Sequence, residues 1–283
     1  MRDRPLTVGV SLKMYFGQRE TLRWCADVAR LARAHDAVQA GRVELFVLPS
    51  TPLIAPVRGV LAGTRVHVGA QDLHHTDRGA VTGGTSGALL AELGCRYAEV
   101  GHFERRTLFG EDDAVVAAKT TAALRNGLTP VLCVGEPDRV DAPAAAADCV
   151  AQARAALAAA PPGPVVLAYE PWWAIGRPEP APPQHIGAVT GPLRDWIADQ
   201  PGRAGSRVIY GGSAGPGLLG RLGDRVDGLF LGRFAHDPAA LAAILDEATA
   251  LTGAAGDSAA TGDTADTAGG APARTGEPPW PSA

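Results

Sequence analysis

Between Thr7 and about Leu231 the chain repeats one unit eight times: a short, unbroken apolar run, then a longer Ala- and Leu-rich stretch. The runs are TVGVS (7–11), VELFVLP (43–49), VHVGA (66–70), YAEVG (97–101), PVLCV (130–134), VVLAY (165–169), RVIYG (207–211) and GLFLG (228–232). The stretches between them, such as RETLRWCADVARLARAHD and ALAAILDEATAL, place apolar residues every three or four positions, the period of an amphipathic helix. Strands buried on both faces read as continuous apolar runs, and strand–helix alternation implies parallel pairing through right-handed crossovers. Eight such units in roughly 250 residues predict an α/β fold, a single closed (β/α)₈ barrel. An open doubly wound sheet shares this alternation. A nucleotide-binding sheet of that kind would carry GxGxxG after its first strand, where this chain has VSLKMYFG.

Composition narrows the ligands. The formal net charge is -4, from 26 basic and 30 acidic residues, which leaves no cationic field for nucleic acid or an anionic bilayer. An anionic ligand must therefore be caught locally. Cys25, Cys95, Cys133 and Cys149 show neither metal-ligand nor disulfide-framework spacing. No apolar leader opens the chain, and no run approaches the ~20 apolar residues of a membrane span. The expectation is a soluble, cytoplasmic protein without a metal. From Gly253 to Ala283 the sequence is almost wholly Ala, Gly, Thr, Asp and Pro, too poor in apolar surface to offset the entropy of ordering. We expect a barrel domain over residues 1–252 and a disordered tail over 253–283, in which Trp280 (EPPWPSA) is either a docking peptide or part of a free tail.

Barrel enzymes carry their chemistry on the loops that follow the strands. There this chain places Lys13; His102 with Glu104, Arg105 and Arg106; Glu170; Gly211-Gly212-Ser213; and Gly232-Arg233. Glu170, in VVLAYEPWWAIG, is followed by Pro171, Trp172 and Trp173, whose apolar surface would exclude water and raise the carboxyl's pKa and basicity. The AIGRPEPAPP segment beyond it has the composition of a loop with stiff ends that closes as a unit. His102 is either a satisfied core histidine or a neutral acid at a strand–helix junction, where a helix N-terminus disfavours the imidazolium. Glu104 is either a second acid or a partner of Lys13 or Arg105. Lys13 is a rim charge, or, turned inward, neutralises an anionic substrate and the oxyanion of enolisation. The two glycine turns can aim backbone N–H groups at a phosphate. Base, neutral acid, cation and phosphate cradle define one reaction class, proton transfer between adjacent carbons through an enediolate, with no cofactor.

On LKM (12–14), VGAQ (68–71), GAVTGG (79–84), VGHFERRTLFGE (100–111), CVGE (133–136), AYEPWWAIG (168–176), IYGGS (209–213) and DGLFLGR (227–233), the chain resembles the triosephosphate isomerase family from roughly Thr7 to Ala248. The resemblance implies an aldose–ketose isomerase acting on a small phosphorylated sugar. It makes Lys13 the electrophilic lysine, His102 the neutral acid and Glu170 the base. Pro171 to about Pro178 becomes a closing lid, and Gly176, Ser213, Gly232 and Arg233 become phosphate ligands. It also implies a homodimer in which the GAVTGG loop reaches into the partner subunit. The departures are Ser11 for the family's asparagine, Leu12 for its tryptophan, Phe103 for its serine, Pro178 and Glu179 for a glycine–lysine hinge, and Arg233 for a glycine. Ser11 would leave space beside the substrate, Pro178 would remove hinge freedom, and Arg233 would restrict the turn while adding a cation. Gly84 stands where a glutamate usually pairs with the partner's counterpart of Arg105, a contact then lost. Ser11 before LKM and the DGLFLGR ending look similar to isomerases of erythrulose phosphate. They favour a tetrulose-phosphate isomerase over a genuine triosephosphate isomerase; a catalytically inactive barrel serving as a binding module is the third alternative.

Overall fold

A computed structural model describes residues 4–253. The eight apolar runs form eight parallel strands: β1 (Leu6–Ser11), β2 (Val43–Leu48), β3 (Val66–Ala70), β4 (Tyr97–Val100), β5 (Thr129–Val134), β6 (Val166–Tyr169), β7 (Arg207–Tyr210) and β8 (Gly228–Leu231). Each pairs with the next, and β8 closes onto β1, with Thr7 opposite Gly228 and Val10 opposite Leu231. The architecture is therefore the closed barrel and not the open sheet. Closure brings the backbones so near that a Cβ on Gly228, whose φ is 151°, would lie 1.7 Å from the Thr7 carbonyl oxygen. Only glycine fits that seam.

Alternation along the strands divides the core in two. Phe46, Leu48, Tyr97, Val131, Cys133, Val166, Ala168, Ile209 and Phe230 fill the barrel interior. Their strand neighbours, including Val8, Val10, Leu45 and Val47, face outward and join a larger core under the helices. In the helix Gln18–Ala34, Thr21, Trp24, Cys25, Val28, Ala29 and Ala32 recur at three- and four-residue steps and are buried. Trp24 Nε1 donates to the Ala235 carbonyl at 2.9 Å, tying this helix to the loop after β8. Among the described residues no helix is long and apolar enough to cross a membrane. The expected tail and Trp280 lie outside the described residues, apart from Gly253, which ends the helix Pro238–Gly253.

Candidate active site

All eight strands run the same way, so the loops beyond their C-terminal ends gather on one face. There Lys13, His102, Glu170, Gly176, Ser213, Gly232 and Arg233 line a single cavity of about 590 Å³, together with Ser11, Phe103 and Glu104. A groove of about 690 Å³ beside Arg4, Arg194 and Asp227 has no part of this group, so chemistry rather than volume singles out the strand-end cavity.

Glu170 follows β6 directly, its N–H donating to the Val134 carbonyl at 2.8 Å. Gly211 lets it pass: a Cβ there would stand 2.4 Å from Glu170 Oε1. The carboxyl is 4% exposed and its buried Oε2 has no hydrogen-bond partner. Burial pushes its pKa up to about 7, although the Lys13 charge and a hydrogen bond from the Cys133 thiol pull the other way. His102 Nε2 lies 3.5 Å from Glu170 Oε2.

His102 caps the helix Phe103–Phe109, its Nδ1 accepting the Glu104 N–H at 3.1 Å. That bond assigns the proton of the neutral ring to Nε2, the nitrogen facing Glu170. Burial and then the nearby Lys13 charge hold the imidazole well below its ordinary pKa, so it stays neutral. Lys13 sits in the left-handed region with φ 46°, a conformation that non-glycine residues hold only under constraint. Ser50 Oγ and Gln71 Nε2 supply it by donating to the Lys13 carbonyl, each at 3.0 Å. Its Nζ donates to Glu104 Oε1 at 2.6 Å and lies 3.3 Å from His102 Nε2. Burial opposes the ammonium, but Glu104, Glu170 and Glu99 outweigh that cost and raise the Lys13 pKa. Of the two open roles for Glu104, the geometry gives the partner of Lys13.

The segment after Glu170 is pinned from both ends. Glu136, only 2% exposed, accepts from Trp173 Nε1 at 2.8 Å and the Tyr169 hydroxyl at 3.1 Å, while its carbonyl accepts the Trp172 N–H at 3.0 Å. At the other end the Ala181 N–H donates to the Tyr210 hydroxyl at 2.9 Å. Between them Ser213 Oγ lies 2.9 Å from the Ala174 carbonyl and 2.8 Å from that of Arg177. Ser213, like Lys13, has φ 46°, and Gly176 has φ 71°. Arg233 begins the short 3₁₀ turn Arg233–His236, its guanidinium 5.9 Å from the centre of the exposed Tyr15 ring.

Glu99, Glu136, Cys133 and Tyr210 escaped the sequence analysis. Glu136 was signalled by its place two residues past a strand, in CVGEP; Glu99 only by being the one charge in YAEVG. Glu99 is 3% exposed on β4 and accepts from Ser11 Oγ at 3.0 Å. Burial and then the neighbouring Glu170 push it up to about 8, against Lys13 and the Ser11 hydrogen bond. A second cavity of about 670 Å³ is lined by Glu99 and by residues 81–85, Leu108 and Phe109, and shares Ser11, Lys13, His102 and Glu104 with the first.

Comparison with known proteins agrees with this geometry. The family model for triosephosphate isomerase matches residues 6–248. L-erythrulose-1-phosphate isomerase of Pectobacterium atrosepticum is 56% identical over 256 residues, covering 89% of this chain and 99% of that protein. Triosephosphate isomerase of Thermus thermophilus is 40% identical over 220 residues, covering 75% and 86%, and that of Symbiobacterium thermophilum is 39% identical over 247 residues, covering 84% and 94%. The chain belongs to the triosephosphate isomerase family.

Proposed function

We propose that this chain isomerises a short phosphorylated sugar by proton transfer through an enediolate, with erythrulose 1-phosphate its favoured substrate. The observation that carries the chemistry is the approach of His102 Nε2 to Glu170 Oε2 at 3.5 Å, with Lys13 Nζ 3.3 Å from the same nitrogen. Glu170 takes the proton from the carbon beside the carbonyl. The Nε2–H of neutral His102 protonates the carbonyl oxygen, and the Lys13 charge stabilises the enediolate. Glu170 then returns its proton to the former carbonyl carbon while His102 Nε2 recovers a proton from the neighbouring hydroxyl, whose oxygen becomes the new carbonyl, so both residues end as they began. On a triose phosphate these steps interconvert ketose and aldose. On erythrulose 1-phosphate, whose C1 oxygen is esterified, they exchange the carbonyl between C2 and C3. Gly176, Ser213, Gly232 and Arg233 supply the phosphate end of the cavity, where backbone amides and the Arg233 cation suit an anion. Four buried free thiols fit a reducing, cytoplasmic setting.

The substrate preference is supported by the 56% identity to an erythrulose-phosphate isomerase, against 40% and 39% to triosephosphate isomerases. One carbon in a pocket is worth only about 1–3 kcal/mol, so activity on both substrates is expected. The test is kcat/KM for dihydroxyacetone phosphate, erythrulose 1-phosphate and erythrulose 4-phosphate; a preference above about a hundredfold for the triose, beyond what one methylene supplies, rejects the substrate assignment. Glu170→Gln should lower kcat roughly a thousandfold, in the range of a lost general base, and leave phosphate-ligand affinity largely in place. A wild-type protein inert toward every such sugar phosphate would instead favour the binding module. Because Glu170 must be ionised, kcat/KM should rise with pH through about 7.

We also propose a homodimer. Met14, Leu108 and Phe109 are 92%, 75% and 65% exposed, and all three line the second cavity together with residues 81–85. An apolar rim around a cleft of this size fits the inserted loop of a second copy.

A further inference from the structure

Glu99 has no part in the proton transfers above, yet it is among the costliest groups in the barrel to bury. Along β4, Tyr97 belongs to the interior cluster while Ala98 and Val100 join the outer core, so Glu99 shares the side of Tyr97. The bond from Ser11 confirms that placement: β1 and β4 are not neighbours in the sheet, so the 3.0 Å contact crosses the barrel interior. An apolar side chain there would pack without penalty. Among the described residues, Ser11 is the hydrogen-bond partner of the carboxyl.

Its position relative to the phosphate end is defined by the cavities. Gly176, Ser213, Gly232 and Arg233 line the first cavity only; Glu99 lines only the second; Ser11, Lys13 and His102 line both. From the phosphate end, the reacting groups come first and Glu99 lies beyond them. A triose phosphate ends at its reacting carbons. Erythrulose 1-phosphate, reacting at C2 and C3, extends one carbon further, and that carbon carries a hydroxyl.

The geometry points to Glu99, joined to Ser11, as the specificity-determining group of this site, receiving the terminal hydroxymethyl of a four-carbon ketose phosphate. The single Ser11 hydroxyl hydrogen is committed to Glu99 Oε2, which leaves the serine oxygen and Glu99 Oε1 free to accept the O4–H. A protonated Glu99 donates to O4 instead, so the contact survives in either ionisation state. A three-carbon substrate leaves the buried carboxyl with Ser11 alone. This inference rests on the four-carbon reading of the substrate.

The test measures kcat/KM of wild type, Glu99→Leu and Glu99→Gln on erythrulose 1-phosphate, its 4-deoxy analogue and dihydroxyacetone phosphate, with thermal unfolding as the check on folding. Sites built around a substrate hydroxyl discriminate strongly against its absence, so wild type should prefer the parent tetrulose to the 4-deoxy compound by at least about a hundredfold. Glu99→Leu should lose that preference and lower the tetrulose-to-triose ratio by a similar factor; the near-isosteric Glu99→Gln, which keeps one acceptor and guards against misfolding, should lower it about tenfold. Equal losses on the two natural substrates, an unchanged ratio, or a wild type indifferent to the 4-hydroxyl would overturn the role of Glu99. A wild type active on dihydroxyacetone phosphate but on neither erythrulose phosphate overturns the four-carbon reading itself.

Discussion

Lys13 is the charge around which the other titrating groups of the site are set. It raises no barrier to its own ionisation, because Glu104, Glu170 and Glu99 together outweigh its burial. In return it adds to the burial that keeps His102 neutral, and lowers both buried carboxyls from where burial alone would leave them. The Cys133 thiol assists by donating to Glu170, so Cys133→Ala should move the acidic limb of the kcat/KM profile upward from about 7 and reduce activity most at pH 6. A limb that stays put would show that the thiol does not tune the base. The same carboxyls have a stability consequence. Glu99 and Glu170, raised to about 8 and about 7 from an ordinary 4.5, hold their protons more tightly folded than unfolded. Their contribution is therefore complete below about 4.5 and is lost as pH rises through 7 and 8. Glu99→Gln, which cannot ionise, should flatten the decline of Tm between pH 5 and 8; an undiminished slope would contradict the raised pKa.

The elements were legible to different degrees, for physical reasons. Strands buried on both faces give continuous apolar runs, and the eight runs fall within about a residue of β1 to β8. That same continuity hid Glu99: when both faces of a strand are apolar, the sequence does not say which face a lone charge occupies. Lys13, His102 and Glu170 were legible because each lies within two residues of a strand's C-terminal end, where side chains of that type have few roles. Barrel closure was legible only indirectly, from the count of eight units and the missing GxGxxG, since the contact itself joins β1 to β8 about 220 residues later. The loop after Glu170 could be read from its prolines but its anchors could not, because Tyr210 on β7 and Glu136 just past β5 reach it from elsewhere in the barrel. Tyr210→Phe deletes the hydroxyl that accepts the Ala181 N–H, a loss of about 1 kcal/mol or roughly five- to tenfold in kcat/KM if that bond holds the productive lid. A loop that covers any substrate as a lid would make triose and tetrulose activities fall together, in contrast with Glu99→Leu. Divergent losses would remove the lid from the explanation.

At the scale of the whole molecule, the proposed dimer draws on the face bearing the second cavity. Arg105 is satisfied within its own subunit: its guanidinium reaches Glu111 Oε1 and lies 3.0 Å from Asp72 Oδ2, while Lys119 Nζ stands 2.6 Å from both of those acids. Two cations and two carboxylates thus balance, and with glycine at position 84 no glutamate from a second copy is needed to neutralise Arg105. Association then depends on apolar burial, with Met14, Leu108 and Phe109 exposed around the cleft and Arg105 seated 3.9 Å from the centre of the Phe109 ring. A double change of Leu108→Glu and Phe109→Glu places like charges where two copies would meet, and leaves the buried core unaltered. Sedimentation velocity should show the mass of one chain in place of two. Lys13 and His102 line the cleft that the second copy would close, so kcat/KM should fall at least tenfold on triose and tetrulose alike, as water enters the catalytic side of the barrel. A double variant that keeps the mass of two chains would exclude this face as the interface. One that becomes a single chain with full activity would show that each barrel completes its own site.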